Sequence, residues 1–372
     1  METIHMNTKN KPEVVVITGA SAGVGRATAR AFAEQGAHIG LLARGEAGLE
    51  AARQDVEDAG SEALVVSTDV ADPEQVEAAA DAVEDEFGSI DIWVNNAMTS
   101  VFSPAKDMEA DEYRRVTETT YLGCVYGTQT ALDRMIPRDE GTIIQVGSAL
   151  AYRGIPLQSA YCGSKHAIQG FTESVRTELI HEESDIQLSM VQMPALNTPQ
   201  FEWVKSHLPN KPQPVPPIYQ PEVAADAIVW AAHHDRDELW VGRSTMKAIL
   251  GNRIIPRRLD RKLAQSGWGS QMTDETENPD RAYNLWEPVD DGEDYGAHGE
   301  FDERARSRSY LLWATTHPKQ LLVVGLSLVT FISAALSRWR NTKGAHAKTN
   351  SSTKSDVAED TSSPISSRGN EE

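Results

Sequence analysis

Residues 14–25 read Val-Val-Val-Ile-Thr-Gly-Ala-Ser-Ala-Gly-Val-Gly, and this stretch decides the fold. Val14-Val15-Val16-Ile17 is a short apolar, β-branched run of the kind that becomes a strand buried on both faces of a parallel sheet. The glycines follow at once. Gly23 and Gly25 allow a backbone to come close to a pyrophosphate, and a helix beginning near Val24 turns its free N–H groups toward the anion. Glycines by themselves only punctuate loops. Here they stand between a strand and a helix, and a second strand signal follows at His38-Ile39-Gly40-Leu41-Leu42. The expected fold is α/β, a Rossmann-like doubly wound parallel sheet.

Downstream, GSALAYRGIPLQSAYCGSK holds Ser148, Tyr161 and Lys165. A Tyr and a Lys four residues apart project from one face of a helix, where an ammonium near a phenol favours the ionised form. An ordinary phenol has a pKa of about 10, so proton transfer near neutral pH calls for such a downward shift. Tyr161 is thus a candidate general acid tuned by Lys165. Ser148 ends the apolar run Thr142-Ile143-Ile144-Gln145-Val146-Gly147, at the strand terminus beyond which open α/β sheets bind ligands. Taken singly, each residue has an ordinary structural explanation. Their order after a nucleotide-binding turn points to hydride chemistry on a nicotinamide.

These residues resemble the short-chain dehydrogenase/reductase family in its single-domain form, over about Pro12 to Gly242. Thr18-Gly19-x-x-x-Gly23-x-Gly25 is similar to the family's cofactor turn, Asn95-Asn96-Ala97 to most of its Asn-Asn-Ala-Gly element, and Ser148, Tyr161 and Lys165 to its catalytic residues. The resemblance implies cofactor contacts from Gly19, Ser21, Gly23, Val24 and Gly25, from Asp69 and Val70 near the adenine, and from Asn96, Thr198, Tyr161 and Lys165. It also places Thr120 where a catalytic Asn usually supports a relay water. Thr120 has a hydroxyl but lacks the amide's two donors. Met98 replaces the usual Gly after Asn-Asn-Ala, and Pro194-Ala195-Leu196-Asn197-Thr198 stands for the usual Pro-Gly and Thr.

Cofactor choice is set at the end of the second strand, where an acid selects a ribose hydroxyl and a cation a 2′-phosphate. Ala43 and Arg44 stand there. No acid repels a phosphate, and Arg44 can grip one through charge-assisted contacts. NADP(H) is therefore the expected cofactor. Phe201, Trp203 and Leu208 lie where the family carries its substrate-covering loop, either as an apolar lid or as anchors to the core.

With 372 residues the chain is long enough for one large domain and appendages. A formal charge of −20 argues against a nucleic-acid-binding surface. Cys124 and Cys162 have no metal-ligand spacing and read as reduced core thiols. His233 and His234 fall at a helix end, and the chemistry needs no metal. Residues 1–11 are polar without a signal-peptide pattern, so a cytosolic start is expected.

Residues 12–255 are expected to form the Rossmann-fold domain and 256–317 an irregular acidic extension. The uncharged run from Leu321 to Leu336 is apolar all round, and its core would cover ~24 Å of a ~30 Å hydrocarbon layer. With flanking residues it predicts a single-pass membrane helix over 318–340, Trp339 at the interface and Arg338 and Arg340 snorkelling. Residues 341–372 are polar enough to be disordered. Because NADP is an intracellular pool, the catalytic domain should face the cytoplasm.

The leading reading is a membrane-anchored NADP-dependent oxidoreductase that interconverts a carbonyl and an alcohol on a lipophilic small molecule. The helices carrying Tyr121 and Tyr161 resemble those that pair subunits in the family, which implies a homo-oligomer. Thr120 and Met98 motivate the other reading, a cofactor-binding scaffold or redox sensor.

Overall fold

In the computed structural model, which describes residues 11–321 and beyond these 332–334 and 336, Val14–Thr18 forms β1 with all five residues buried. Six further strands join it: β2 (His38–Ala43), β3 (Ala63–Ser67), β4 (Ile92–Asn95), β5 (Thr142–Ser148), β6 (Gln187–Met193) and β7 (Glu238–Trp240). Their order is β7-β6-β5-β4-β1-β2-β3, and every neighbouring pair is parallel. From β1 the chain winds outward one way through β2 and β3. It then returns to β4 and winds the other way, so the switch point lies between β1 and β4, where such sheets bind ligands.

Alternation along β1 divides the core. Val15 and Ile17 face a layer containing Phe32, Leu49 and Ile228, whereas Val14 and Val16 face one containing Val76, Trp93 and Met135. Helices α1 (Gly23–Ala33) and α2 (Glu46–Asp58) supply the first layer, and α3 (Pro73–Phe87) the second. Asp72 starts α3 by accepting from the Glu74 and Gln75 amides, with Pro73 at the first position. Next come α4 (Ala110–Thr117), a π-helical turn at Glu118–Leu122, α5 (Gly123–Met135) and α6 (Ser159–His181). After β6 the chain continues through α7 (Pro221–Ala232), α8 (Gly242–Ile254) and α9 (Pro256–Ser266).

Beyond residue 255 the structure differs from an irregular extension. Its first eleven residues are α9, because Pro256 suits a first helical position and no glycine interrupts the helix before Gly267. Met272–Thr276 then pairs antiparallel with Asn210–Pro212, and Ala305–Arg306 joins a parallel strip with Ile218–Tyr219 and Ala195–Leu196. One compact unit runs to Trp313, and residues from Ala314 fall in another. Among the described residues no helix is long and apolar enough to cross a membrane. Most of the 318–340 segment and all of 341–372 lie outside the described residues.

Candidate active site

A cavity of about 400 Å³ opens at the carboxyl ends of the strands, and the glycine turn forms its floor. Gly19 has φ +67°, and a Cβ there would stand 2.8 Å from the Ala97 Cα. Only glycine allows that approach of β1 to the loop after β4. The Thr18 hydroxyl accepts from the amides of Asn96 (2.9 Å) and Ala97 (3.0 Å), while the Asn96 side chain donates to the carbonyls of Thr18 and Gly19. Asn96 therefore braces the turn as well as lining the cavity. Ser21, Gly23 and Val24 also line it. Gly25 does not: it packs behind the turn, where a Cβ would lie 2.1 Å from the Gly19 carbonyl oxygen.

Ser148 closes β5, and Tyr161 and Lys165 lie on the first two turns of α6; all three reach the same cavity. Lys165 is 3% exposed, donates to the Val146 carbonyl at 2.7 Å and lies 5.6 Å from the centre of the Tyr161 ring. Burial lowers its ammonium to about 8. Burial also pushes the Tyr161 phenol above its ordinary value, against a smaller opposing hydrogen bond with Ser148. The expected downward shift is thus absent here, because desolvation of the phenol outweighs its polar neighbours. Tyr161 holds its proton at neutral pH, as a proton donor requires. Burial raises the Cys124 thiol to about 12, and Cys124 donates to Gln145, so it is inert at neutral pH.

Thr120 does not join this group. Its fully buried hydroxyl donates to the Thr99 carbonyl (2.9 Å) and accepts from the Thr99 amide (3.1 Å), and the residue is not on the cavity wall. The wide π turn shifts the helical register, so that Thr119 reaches the wall in its place. The hydroxyls of Thr99, Ser100 and Thr119 are buried at the cavity without partners among the described residues. Sequence reading missed Thr119 because adjacent threonines look alike until the helical register is known, and Thr99 and Ser100 because they lie in a loop with no pattern of its own. Met98 also lines the cavity.

The larger surprise is a strap formed by residues 284–302. Arg44, on the cavity wall just after β2, donates to the carbonyls of Asn284 and Trp286. Arg115 bridges the strap to Asp69, donating to Leu285 O (3.0 Å) and to the Asp69 carboxylate (2.6 Å). Asp69, with Val70, lines the same end. Asp290 is 8% exposed; its carbonyl accepts from Gly48, and its carboxylate fills the space where a Cβ on Gly45 would stand. Farther along, Asp294 pairs with Arg26, and the Gly296 carbonyl accepts from Gly23, the first residue of α1. Gly299 packs on the Thr198 backbone, and Thr198 lines the cavity. The strap thus follows the rim from Arg44 to Thr198.

At the opposite end the wall is apolar: Phe102, Leu150, Ile155, Phe201 and Val204. Phe201 packs edge-on against Phe301 (5.9 Å between ring centres) and is itself buried, so it is at once wall and anchor. Leu208 is buried in that cluster, while Trp203 stacks edge-on against Tyr295 of the strap.

Comparison with known proteins accords with this architecture. Residues 13–208 match the short chain dehydrogenase family. An uncharacterised oxidoreductase of Bacillus subtilis, YxnA, is 34% identical over 332 residues, covering 89% of this chain and 92% of that protein. Human dehydrogenase/reductase SDR family member 7 is 41% identical over 170 residues, 45% of this chain and 50% of that protein. An alcohol dehydrogenase from Thermococcus sibiricus, solved with 5-hydroxy-NADP, superposes with a TM-score of 0.54 at 26% identity, covering 62% of this chain and 96% of that one. A Burkholderia phymatum relative solved with NAD shares the fold (TM-score 0.60, 23% identity, 68% and 95% covered). The chain belongs to the short-chain dehydrogenase/reductase family. It is an NAD(P)-dependent oxidoreductase.

Proposed function

We propose that the protein interconverts a carbonyl and an alcohol on a lipophilic small molecule, using NADP(H). The observation that carries this reading is the convergence of Ser148, Tyr161 and Lys165 on one cavity whose far wall is apolar. The nicotinamide, when bound, supplies or accepts the hydride. Tyr161 gives its proton to the developing alkoxide in reduction and takes it back in oxidation. Ser148 holds the same oxygen by a hydrogen bond that strengthens as charge grows there. Lys165, an ammonium below pH of about 8, offsets the negative charge left on the Tyr161 oxygen. Gly19 and Gly23, both at positive φ on the cavity wall, present backbone rather than side chains where a dinucleotide's phosphates would lie.

Arg44 supports NADP over NAD. Two strap carbonyls fix its guanidinium at the adenosine end, and a preorganised cation suits a 2′-phosphate. Asp290 lines the same end and opposes it. In this reading residues 12–255 carry the catalytic fold, 256–317 brace it, the segment over 318–340 anchors the chain in a membrane with the catalytic unit cytoplasmic, and the chain acts as a homo-oligomer.

The test is NADPH oxidation by the full chain against a panel of apolar aldehydes and ketones, with NADH as comparison. Tyr161→Phe should lower kcat by about 10²–10⁴-fold with NADPH affinity nearly unchanged. Arg44→Ala should abolish a preference for NADPH. Retained turnover in Tyr161→Phe would sink the mechanism, and a preference for NADH in the parent chain would sink the cofactor assignment.

A further inference from the structure

The hairpin of α8 and α9 opposes the rest of the chain in charge. Against a net charge of −20, residues 243–262 carry seven cations and one carboxylate, Asp260. Arg153 already neutralises Asp260. Arg253, Arg257, Arg258, Arg261 and Lys262 are exposed and have no carboxylate partner among the described residues. Such a concentration of cations is the part of an otherwise acidic protein that attracts an anionic surface most strongly.

Apolar side chains stand among those cations. Ile254 is 76% exposed, and Leu250, one helical turn before it on the same face of α8, Ile255 at the corner and Trp268 after α9 are exposed as well. In α9 no residue is buried, although Leu259 and Leu263 lie four apart on one face. A single exposed Leu or Ile needs no explanation. A helical pair that interleaves exposed Ile and Leu with arginines, and leaves one helix without a buried residue, has the pattern of an interfacial membrane element. The opposite face of α8 is part of the enzyme: Thr245 and Ile249 are buried, and Ser244, Thr245 and Ala248 line the cavity.

We propose that the α8–α9 hairpin docks the protein on an anionic lipid surface. The arginines meet the headgroups, Leu250, Ile254 and Ile255 enter the boundary beneath them, and the inner face of α8 sits between that surface and the cavity. This contact is distinct from the apolar run at 321–336 and goes beyond the catalytic reading, since it can be seen without turnover.

The run at 321–336 would itself hold the full chain on vesicles, so the measurement must report on the hairpin locally. An Ile254→Cys variant of the full chain carries an environment-sensitive fluorophore; Cys124 and Cys162 are buried. It is mixed with vesicles of equimolar phosphatidylcholine and phosphatidylserine, or of phosphatidylcholine alone, with a nitroxide lipid as quencher. The expected result is a blue shift with quenching on the anionic vesicles only, weakened at least about tenfold by Arg257→Glu, Arg258→Glu and Arg261→Glu together. Because these side chains are exposed, the triple variant should keep the parent's circular dichroism spectrum. A label that stays in water while the protein sediments with vesicles would overturn the proposal, as would an equal response on neutral vesicles. A response to duplex DNA without one to lipid would assign the patch to another partner and overturn it too.

Discussion

Lys165 is buried and Tyr161 stands half-buried beside it, and desolvation acts on both in the direction that disfavours charge: the phenol goes up and the ammonium comes down. For Tyr161 this keeps a proton ready for transfer. For Lys165 it has a cost in stability whose pH dependence can be worked out. Below pH 8 the folded protein holds a buried ammonium, and the penalty is present in full. Between about 8 and the ordinary 10.5 the folded form has released its proton while the unfolded chain still binds one, so stability rises with pH. Lys165→Met lacks this group. Its advantage over the parent chain should therefore be greatest below pH 8 and shrink by about 2–4 kcal/mol by pH 10.5. Denaturant unfolding of both proteins across that range measures it, and parallel curves would show that Lys165 is not desolvated as its position implies.

At the scale of elements, the strap is held at its Arg44 end by Leu285, which is fully buried in a cluster with Val101, Met108 and Val116. Its carbonyl fixes Arg115, and the carbonyls on either side fix Arg44. Leu285→Ala removes the anchor, at a local cost of about 2–5 kcal/mol. Dissociation of bound NADPH, followed by its fluorescence, should quicken several-fold. If release is unchanged while overall stability falls, the strap is structural only. Little of this was legible in the sequence. The turn at 18–25 and the Tyr161–Lys165 pair declare themselves because strand, turn and helix are local patterns with periods that survive in a string of letters. The strap is built from backbone carbonyls reaching partners such as Arg44, 242 residues away; a carbonyl has no side-chain signature, and an acidic, turn-rich segment looks the same loose or fastened. Thr120 lies off the cavity wall for a related reason: matching it to the family's Asn assumes an α-helical register, and the π turn brings its neighbour Thr119 to the wall.

The whole molecule carries its net charge of −20 unevenly, with a cationic hairpin on an otherwise acidic body. Two electrostatic effects then compete when salt is added. Screening weakens the attractive pairs, but those that organise the fold are shielded at their arginine end: Arg26 with Asp55 and Asp294, Arg115 with Asp69, and Arg134 with its three carboxylates all have arginine side chains no more than 11% exposed, although the carboxylates reach the solvent. Screening acts far more on charges in water, where the Debye length falls from ~30 Å at 0.01 M to ~8 Å at 0.15 M. Like-charge repulsion across the acidic surface is mainly of that kind, so its relief should win. If it is worth about 1–2 kcal/mol, Tm rises by roughly 2–6 °C between low salt and half-molar NaCl. Docking of the hairpin on anionic vesicles should move the other way and weaken over the same range, because its cations and the headgroups they meet are both exposed to salt. A thermal melt and a vesicle titration along one salt series test both signs. A falling Tm would mean that the ion pairs dominate after all, and salt-insensitive docking would mean that Leu250, Ile254 and Ile255 carry the contact without the arginines.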